Sequence, residues 1–471
     1  MSTHVATFDP VAQRPAPRRY AWSVFAILFA LMVVDYVDRQ VVVSMFPHLK
    51  AQWSLSDSQL GALVSVVSVA VALGAVPLSL VADRWGRVKS IFIMAVVWSL
   101  ATLACAFTRD YASLVGARSV VGLGEAAYGT AGAALLATLF PPRMRGTVLG
   151  AFLAAAILGS VSGVMLGGVL AERWGWQAGF GVVSIPGLLL ACLFAIIVRD
   201  YPTVDFSGGG RNAGASRLAG RAVVAELMRP RTAWITCLGA GFNLLVVSTM
   251  YAWLPSFFHR YYGLAPDRAG VKTALVVLLG GVGALVLSVI ADRASSRLPS
   301  ARLVIPAFAA VATTVLLCIA FTAFPPGGAQ FALILAGACV MAGSVGPTDA
   351  VVIDVTHPGL RATAVSVLSL TRNLFGLAGG PLLAGALSDA YGLRFAMAVV
   401  PLFCLAAAAL FVWAARSYPR DRRAAAEIAA EPAWSAACPT RGAPGRAATG
   451  IPSGSRSRGS IRRGPRRRSP W

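Results

Sequence analysis

The sequence predicts an all-α membrane protein with twelve transmembrane helices in two pseudo-symmetric six-helix bundles. The first observation is composition: the 471 residues are 57% hydrophobic and 13% charged, with a mean hydropathy of +0.70, whereas soluble chains carry about 25% charged residues. The second is the length of the apolar runs, close to the ~20 residues that cross a bilayer core. The third is a charged motif that recurs half a chain later, which indicates duplication.

The apolar runs are long and continuous, which excludes a barrel of short alternating strands and leaves helices as the spanning elements. Twelve such segments begin near Trp22, Ser58, Val88, Tyr111, Met144, Gly179, Thr232, Asp267, Arg302, Gln330, Leu360 and Arg394. The first run follows a basic segment, as in a signal peptide, but Asp35, Asp38 and Arg39 stand where a small-residue cleavage site would lie. We therefore expect an uncleaved first helix.

Composition shifts divide the chain into five parts. We predict a cytoplasmic segment over 1–20, bundles over 21–199 and 232–415, a polar linker over 200–231 and a basic disordered tail over 416–471. The tail holds thirteen arginines against three acids, a large share of the net charge of +22. Because the charge is concentrated there, we expect no nucleic-acid partner. The tail is either a segment attracted to anionic lipid or, from about Cys438, the product of an out-of-frame gene end.

The recurring motif lies between the second and third segments, Ser79-Leu-Val-Ala-Asp83-Arg84-Trp-Gly86-Arg87-Val-Lys89. Its second copy places Asp292 and Arg293 in Ser-x-x-Ala-Asp-Arg, 209 residues after the first. The motif resembles the G-x-x-x-D-R-x-G-R-[RK] loop of the major facilitator superfamily, with Ser79 in place of the first glycine. That resemblance implies a conformational latch formed by Asp83, Arg84, Gly86, Arg87, Asp292 and Arg293.

Further sequence patterns are repeated between the two halves. Trp174-Gly-Trp precedes the sixth segment and Tyr391-Gly-Leu precedes the twelfth. Glycines spaced three or four apart recur from Gly159 in the fifth segment and from Gly376 in the eleventh, and small residues on one stripe allow close helix approach. Drug antiporters of the superfamily carry Gly-Pro in the fifth helix, where this chain has Gly163-Val164. This difference disfavours drug efflux as the function.

Lysine and arginine are more frequent in the loops that contain the termini and the two motif copies than in the opposite loops. Positive loops stay in the cytoplasm, so we predict that both termini are cytoplasmic. We further expect a multi-pass protein of the cell (inner) membrane that contacts membrane lipid and functions as a monomer.

Charge inside a membrane costs ~2.5 to 3.5 kcal/mol per residue, so it usually has a partner and a role. The intramembrane candidates are Asp35, Asp38 and Arg39 in the first helix, Arg118 and Glu125 in the fourth, and Arg372 in the eleventh. A rise of ~1.5 Å per residue places Asp35 and Arg118 at similar depth, with Glu125 two turns away on the same face. Asp35 and Arg39 are also spaced for a pair within one helix.

The sequence around these charges resembles that of particular families within the superfamily. Asp35-Tyr-Val-Asp38-Arg39 resembles the N-Y-x-D-R of Spinster-like transporters, with Asp35 replacing Asn, and Arg118-Ser-Val-Val-Gly-Leu-Gly-Glu125-Ala-Ala-Tyr128 resembles their R-x-x-x-G-x-G-E-A-x-Y. Anion:cation symporters share much of it. The resemblance implies proton coupling by Asp38, Arg39, Arg118 and Glu125, to which we add Asp35. We expect Arg118 to pair with Glu125 in one state and with Asp38 or substrate in the other.

Candidate substrate contacts are polar or aromatic residues at mid-depth. They are Arg372, Asn373, Asn243, Tyr251, Trp253 and Tyr128. Aromatic residues also pack simply, whereas Arg372 has no acid one turn away in its own helix and so requires another helix or a ligand. We expect Asp349 and Asp354, near the cytoplasmic end of the tenth helix, to be solvated.

These observations predict a secondary active transporter, proton-coupled, which moves a small organic anion or amphipathic solute by alternating access between two bundles. The alternatives are a multidrug/H⁺ efflux or lysolipid transporter, or a non-transporting receptor of the same fold. Nucleotide motifs, metal spacings and nucleophile elbows are absent from the sequence, so we expect no cofactor, no metal and no enzyme activity. Import and export, and symport and antiport, remain open at this stage.

Overall fold

The computed structural model describes residues 17–199, 229–357 and 360–430. The first half of this part contains seven helices. They are α1 Arg18–Ser44, α2 Phe46–Trp53, α3 Asp57–Trp85, α4 Arg87–Cys105, α5 Tyr111–Glu125, α6 Tyr128–Leu139 and α7 Pro142–Ile197. α5 and α6 form one interrupted span, and α7 forms two spans, because its backbone leaves helical geometry at Gly175. The short α2 lies between the first and second spans.

The second half repeats this arrangement. Its helices are α8 Arg231–Tyr262, α9 Pro266–Ser295, α10 Ala301–Ala323, α11 Gly328–Met341, α12 Val345–Val355, α13 Arg361–Thr371, α14 Gly379–Tyr391, α15 Leu393–Val399 and α16 Phe403–Ala430. A π-helical segment, Arg372–Ala378, joins α13 to α14, and a 3₁₀ turn, Val400–Leu402, joins α15 to α16.

The prediction of a twelve-helix membrane fold is confirmed. Ten helices of the described chain are long and apolar enough to cross a membrane, and one of them, Arg143–Ile197, contains the kink that divides it into two spans. The remaining span, the eleventh in chain order, is the interrupted helix made of α13, the π segment and α14. One boundary differs from the expectation: α16 continues to Ala430, so residues 416–430 of the predicted tail are helical. Most of the predicted linker (200–228) and the rest of the tail (431–471) lie outside the described residues.

Glycine permits sharp turns at equivalent places in the two halves. Gly175 and Gly392 have φ of 81° and 86°, a backbone conformation that costs other residues energy. Each turns the chain between the last two spans of its half. The repeated Trp-Gly-Trp and Tyr-Gly-Leu text therefore encodes the same hinge twice.

The two halves meet through hydrogen bonds at one end of the molecule and at mid-depth. Asp57, at the start of α3, binds Arg260 at the end of α8, and Ser65 Oγ donates to the Ala378 carbonyl at 2.5 Å. We call the end that carries Asp57 and Arg260 the Asp57 end. The opposite end, which carries the α3–α4 and α9–α10 turns, is called the Trp85 end.

Candidate functional site

Five charged side chains gather inside the first half, where α1 passes α5. α1 contributes Asp35, Asp38 and Arg39, and α5 contributes Arg118 and Glu125. Three carboxylates therefore face two guanidinium groups, an excess of one acid. All but Arg39 are buried, with Arg118 and Glu125 at 1% and 4% exposure.

The ion pairs connect the two helices at two levels. Arg39 Nη2 lies 2.9 Å from Glu125 Oε2, and Arg39 Nε lies 3.5 Å from Asp35 Oδ2. Arg118 Nη1 lies 3.5 Å from Asp38 Oδ1. The structure shows the expected alternative in which Arg118 pairs with Asp38, and Glu125 pairs with Arg39, a partner that the sequence did not indicate. The pair of Asp35 and Arg39 within α1 agrees with their i, i+4 spacing.

Asp38 is fixed by a third helix. Thr102 Oγ1, on α4, donates to Asp38 Oδ2 at 2.9 Å, which leaves Oδ1 facing Arg118. Several polar atoms of the cluster have no hydrogen-bond partner among the described residues, including Asp35 Oδ1, Glu125 Oε1 and Arg118 Nε. Buried polar atoms without partners are costly, so the cluster retains capacity to bind a proton or ligand.

A cavity of about 260 Å³ lies next to the cluster, between the two halves. Its lining comes from six spans and includes Tyr36, Arg39, Gln40, Val43, Val64, Val67, Ser68, Arg118, Ser160, Leu244, Val247, Ser248, Tyr251, Ala252 and Leu377. Both guanidinium groups belong to the wall from the first half. The wall from the second half is mostly aliphatic, so the cavity is cationic on one side and apolar on the other.

Sequence reasoning missed several polar residues of this wall. Tyr36 and Gln40 flank Arg39 on α1, and the Arg39 guanidinium lies 5.4 Å from the centre of the Tyr36 ring. Their i, i+4 spacing around the charged pair was a usable signal. Ser68, Ser160 and Ser248 carried none, because serines are common in apolar helices of this chain.

Of the six predicted substrate contacts, the structure places Tyr251 on the cavity wall. Tyr128 is buried in the first half, and its hydroxyl donates to the Leu28 carbonyl at 2.7 Å. Trp253 is fully buried, and its Nε1 donates to the Pro381 carbonyl at 3.0 Å. These two aromatic residues therefore pack and hydrogen-bond within the protein.

Asn243 and Asn373 also use their amides internally. Asn243 Oδ1 accepts a hydrogen bond from Ser344 Oγ at 2.6 Å, and its Nδ2 lies 3.7 Å from Cys404 Sγ. Asn373 Nδ2 donates to the Ser369 carbonyl at 2.9 Å. Neither lines the 260 Å³ cavity.

Arg372 finds its partner in a neighbouring helix. Its Nη1 lies 2.8 Å from Asp349 Oδ1, and its Nη2 donates to the Val345 carbonyl at 2.9 Å and to Thr348 Oγ1 at 2.6 Å. The guanidinium thus joins the start of the π segment to α12. The expectation that Asp349 is simply solvated is wrong, because the acid supplies the charge that the Arg372 helix lacks.

The second motif copy is engaged within its own half. Asp292 Oδ1 lies 3.0 Å from Arg302 Nη2, whose Nη1 lies 2.6 Å from Asp354 Oδ2. Tyr418 donates to the same Asp354 oxygen at 2.7 Å, so Asp354 is also paired rather than solvated. In the first copy, Gly86 has φ 101° between α3 and α4, and the side chains of Asp83 and Arg84 lie outside the described set. The latch itself remains a prediction.

Two carboxylates bridge the halves at the Asp57 end. The Asp57 carboxylate accepts two hydrogen bonds from Arg260, at 2.6 and 2.7 Å, and one from Ser388 at 2.5 Å. The Asp389 carboxylate accepts hydrogen bonds from the backbone N–H groups of Asp57 and Ser58, at 2.7 and 2.8 Å. We call these five residues the Asp57 gate.

Twelve spans in two related halves around a polar central cavity define a membrane transporter. The chain belongs to the Major Facilitator Superfamily, whose model matches residues 28–379. Among the described residues, no group of three or more His, Cys, Asp or Glu is arranged to hold a metal ion.

Relatives and solved structures agree with this family. The chain is similar to Protein spinster of Drosophila melanogaster, 25% identical over 405 residues, which cover 82% of this chain and 66% of that protein. It is also similar to the gallate transporter of Pseudomonas putida, 29% identical, over 60% of this chain and 68% of that one. The structure of a bacterial homologue of the human lysosomal transporter Spinster, inward-facing and unoccupied, matches with a TM-score of 0.77 at 22% identity, over 86% of this chain and 99% of that one. These comparisons confirm the prediction of a transporter rather than an enzyme.

Proposed function

We propose that this protein couples the movement of a small organic anion to that of protons, with the 260 Å³ cavity as its central site. The observation that carries the proposal is the position of Arg39 and Arg118 on the cavity wall while the same guanidiniums hold three buried acids. A ligand carboxylate would compete with Asp38 and Glu125 for those guanidiniums. Similarity to a gallate transporter supports an anionic substrate.

Charge balance links this competition to protons. With every group ionised, three acids and two guanidiniums leave one uncompensated negative charge in a buried site, and a bound monoanion adds a second. Uncompensated charge in a low-dielectric interior is unfavourable. Uptake of a proton by one of the carboxylates offsets it, so we expect substrate and protons to move in the same direction.

Glu125 is the acid whose protonation changes the cavity most directly. It holds Arg39, the one member of the cluster with appreciable exposure, 19% of its side chain. A neutral Glu125 would release Arg39 toward the cavity, where a substrate carboxylate can accept the charge-assisted hydrogen bonds. Asp38, held by Arg118 and Thr102, is the second candidate carrier, and the two acids can titrate as a coupled pair.

The aliphatic wall from the second half favours a solute with an apolar portion. Leu244, Val247, Ala252 and Leu377 line that side, together with the hydroxyls of Ser248 and Tyr251. An aromatic acid presents one carboxylate and one apolar face, which fits such a two-sided cavity. A sugar acid fits the charged wall but gains less from the aliphatic one.

The Asp57 gate supports a mechanism of alternating access, because it closes one end of the cavity. We infer that the structure represents a state closed at the Asp57 end, and the distribution of basic residues assigns that end to the outside. Both termini then lie in the cytoplasm, and the site opens inward. We place the protein as a monomer in the cell membrane, with the latch motifs at the cytoplasmic end.

Flux measurements test the proposal. Purified full-length protein in proteoliposomes is given an inward-directed pH gradient and a panel of radiolabelled aromatic acids, sugar acids, lysolipids and amphipathic cations. We expect gradient-driven accumulation of at least one carboxylate, abolished by a protonophore. Accumulation of cations alone, or no flux of any solute, would contradict an anion transporter.

A further inference from the structure

A second concave surface lies at the Trp85 end, between α9 and α10 and far from the ion-pair cluster. It is a groove of about 930 Å³ lined by Ile290, Arg293, Ala294, Ser296, Arg297, Leu298, Ala301, Val304 and Ile305. Apolar residues form most of this lining, and among the described residues its charges are the guanidiniums of Arg293 and Arg297. Neither residue lines the central cavity or belongs to the ion-pair cluster, although Arg293 is part of the predicted latch.

The two guanidiniums are available. Arg293 and Arg297 are exposed, and neither makes an ion pair or side-chain hydrogen bond within the described chain. Nearby acids are already taken, since Asp292 and Asp354 both bind Arg302. Arg293 therefore belongs to the second motif copy but does not share the contacts of its neighbour Asp292.

The apolar part of the groove continues a surface that faces lipid. Leu285, Val286 and Val289 on α9 are exposed at 58%, 52% and 46%, and Ile290 extends this stripe into the groove at 46%. On the α10 side, Val304 is 43% exposed. In a protein that spans a membrane, such a stripe contacts acyl chains, and the turn at its end lies at headgroup level.

We propose that this groove binds an anionic glycerophospholipid, with its phosphate on Arg293 and Arg297 and its acyl chains along the stripe of α9 and α10. Guanidinium groups make charge-assisted and often bidentate hydrogen bonds to phosphate oxygens, and basic pockets between spanning helices bind anionic headgroups. The anion compensates two cations that the protein leaves unpaired. The site goes beyond the transport function and does not depend on it.

Native mass spectrometry of the purified full chain tests the site, with phosphatidylglycerol and phosphatidylcholine of identical acyl chains as probes. We expect the protein to bind phosphatidylglycerol more tightly. A guanidinium near an anionic lipid contributes about fivefold to affinity, so Arg293→Gln with Arg297→Gln should weaken phosphatidylglycerol binding by roughly 30-fold. Phosphatidylcholine binding should change little.

Arg18→Gln with Arg19→Gln is the matched control, because these exposed arginines of α1 lie at the same end but do not line the groove. It should keep the phosphatidylglycerol preference. Equal losses in both double variants, an unchanged preference in the Arg293/Arg297 variant, or no preference in the unsubstituted protein would overturn the proposal. Full displacement of the lipid by soluble glycerophosphate would instead indicate a site for free phosphate. If the double variant does not fold, the single Arg297→Gln variant, outside the helix, should still lose about fivefold.

Discussion

The ion-pair cluster contains three acids and two guanidiniums, so it carries one excess negative charge when every group is ionised. Arg39 and Arg118 together hold Asp35, Asp38 and Glu125, and α8, the counterpart of α1 in the second half, has no charged residue between Arg231 and His259. The five-residue ion-pair cluster therefore lies in one half of a duplicated molecule. The charged wall of the cavity therefore comes from the first half and its mostly aliphatic wall from the second.

Glu125→Gln removes the negative charge that holds Arg39 and imitates the protonated acid. We expect pH-gradient-driven accumulation to be lost while substrate binding and downhill exchange persist, because the guanidinium stays free for the ligand. Proteoliposome flux and equilibrium binding measure the two separately.

Asp38→Asn is the matched comparison for Glu125→Gln, since it neutralises the other inter-helix acid. Loss of coupling in the Asp38 variant alone would assign the proton to Asp38. Wild-type accumulation in both variants would remove proton coupling from this cluster.

A substitution at Arg372 can distinguish a structural role from a substrate-binding role. Its guanidinium makes three contacts to α12, and Lys cannot reproduce that fork. We expect Arg372→Lys to lower stability by about 1 to 3 kcal/mol and to leave substrate affinity unchanged. Thermal unfolding and binding are the measurements. An unchanged melting temperature with weaker binding would return Arg372 to the substrate site.

The residues of the cluster could be predicted from sequence, because charges within apolar runs are conspicuous and their depth follows from helical rise. The spacing also indicated the Asp35–Arg39 pair, and Arg118–Asp38 was one of two alternatives. The Arg39–Glu125 pair was not predicted, because it depends on the rotation of α1 against α5, which the sequence does not give. Trp253 and Tyr128 illustrate the same limit, since nothing in their spacing distinguishes a hydrogen bond to the backbone from a cavity contact.

At the scale of elements, the helices begin close to the positions predicted from the sequence, whereas the interruptions within spans were not predicted. α5 ends at Glu125 and α6 begins at Tyr128, and the equivalent span of the second half breaks between Met341 and Val345. Neither break contains proline. The first lies directly after Glu125, the acid that binds Arg39, so the break is next to the ion-pair cluster.

In the Asp57 gate, a carboxylate of the second half caps the start of a helix of the first half. Asp389 accepts from the first backbone N–H groups of α3, which a carboxylate stabilises through hydrogen bonds and the helix dipole. The cap exists only while the halves touch at this end. A helix terminus thus contributes to the choice between conformations.

Asp389→Asn weakens this cap without removing its shape. A loss of about 1 kcal/mol changes the ratio of two conformations by about fivefold, toward the state open at the Asp57 end. Distances between spin labels on the two halves report the shift. Asp110→Asn, which removes a cap at the start of α5 made within the first half to the backbone N–H of Ser113, is the control and should leave the distances unchanged. The same shift in both variants would remove the gate from this equilibrium.

At the scale of the whole molecule, close helix contacts decide what can move. Gly159, Gly163 and Gly167 bring α7 against the carbonyls of Val33, Val37 and Val41 on α1. These contacts lie within the first half, so α1 and α7 move together and carry Asp35, Asp38 and Arg39 as a unit. The halves also meet at glycines near the Asp57 end, where Gly168 lies against Pro266, Gly385 against Asp57 and Gly61 against Pro381. Together with the hydrogen bonds of the Asp57 gate, these are the contacts that must separate when this end opens.

A disulfide across the gate tests this motion. Ser58→Cys with Asp389→Cys replaces two side chains that already hydrogen-bond across the halves. Oxidation should hold the Asp57 end closed and stop net transport, because the cavity can no longer open there, while ligand binding from the Trp85 end persists. Reduction should restore transport, and each single cysteine variant should be insensitive to oxidant. If the oxidised double variant transports at the rate of its reduced form, the halves do not separate at Asp57 during the cycle, and alternating access through this end is wrong.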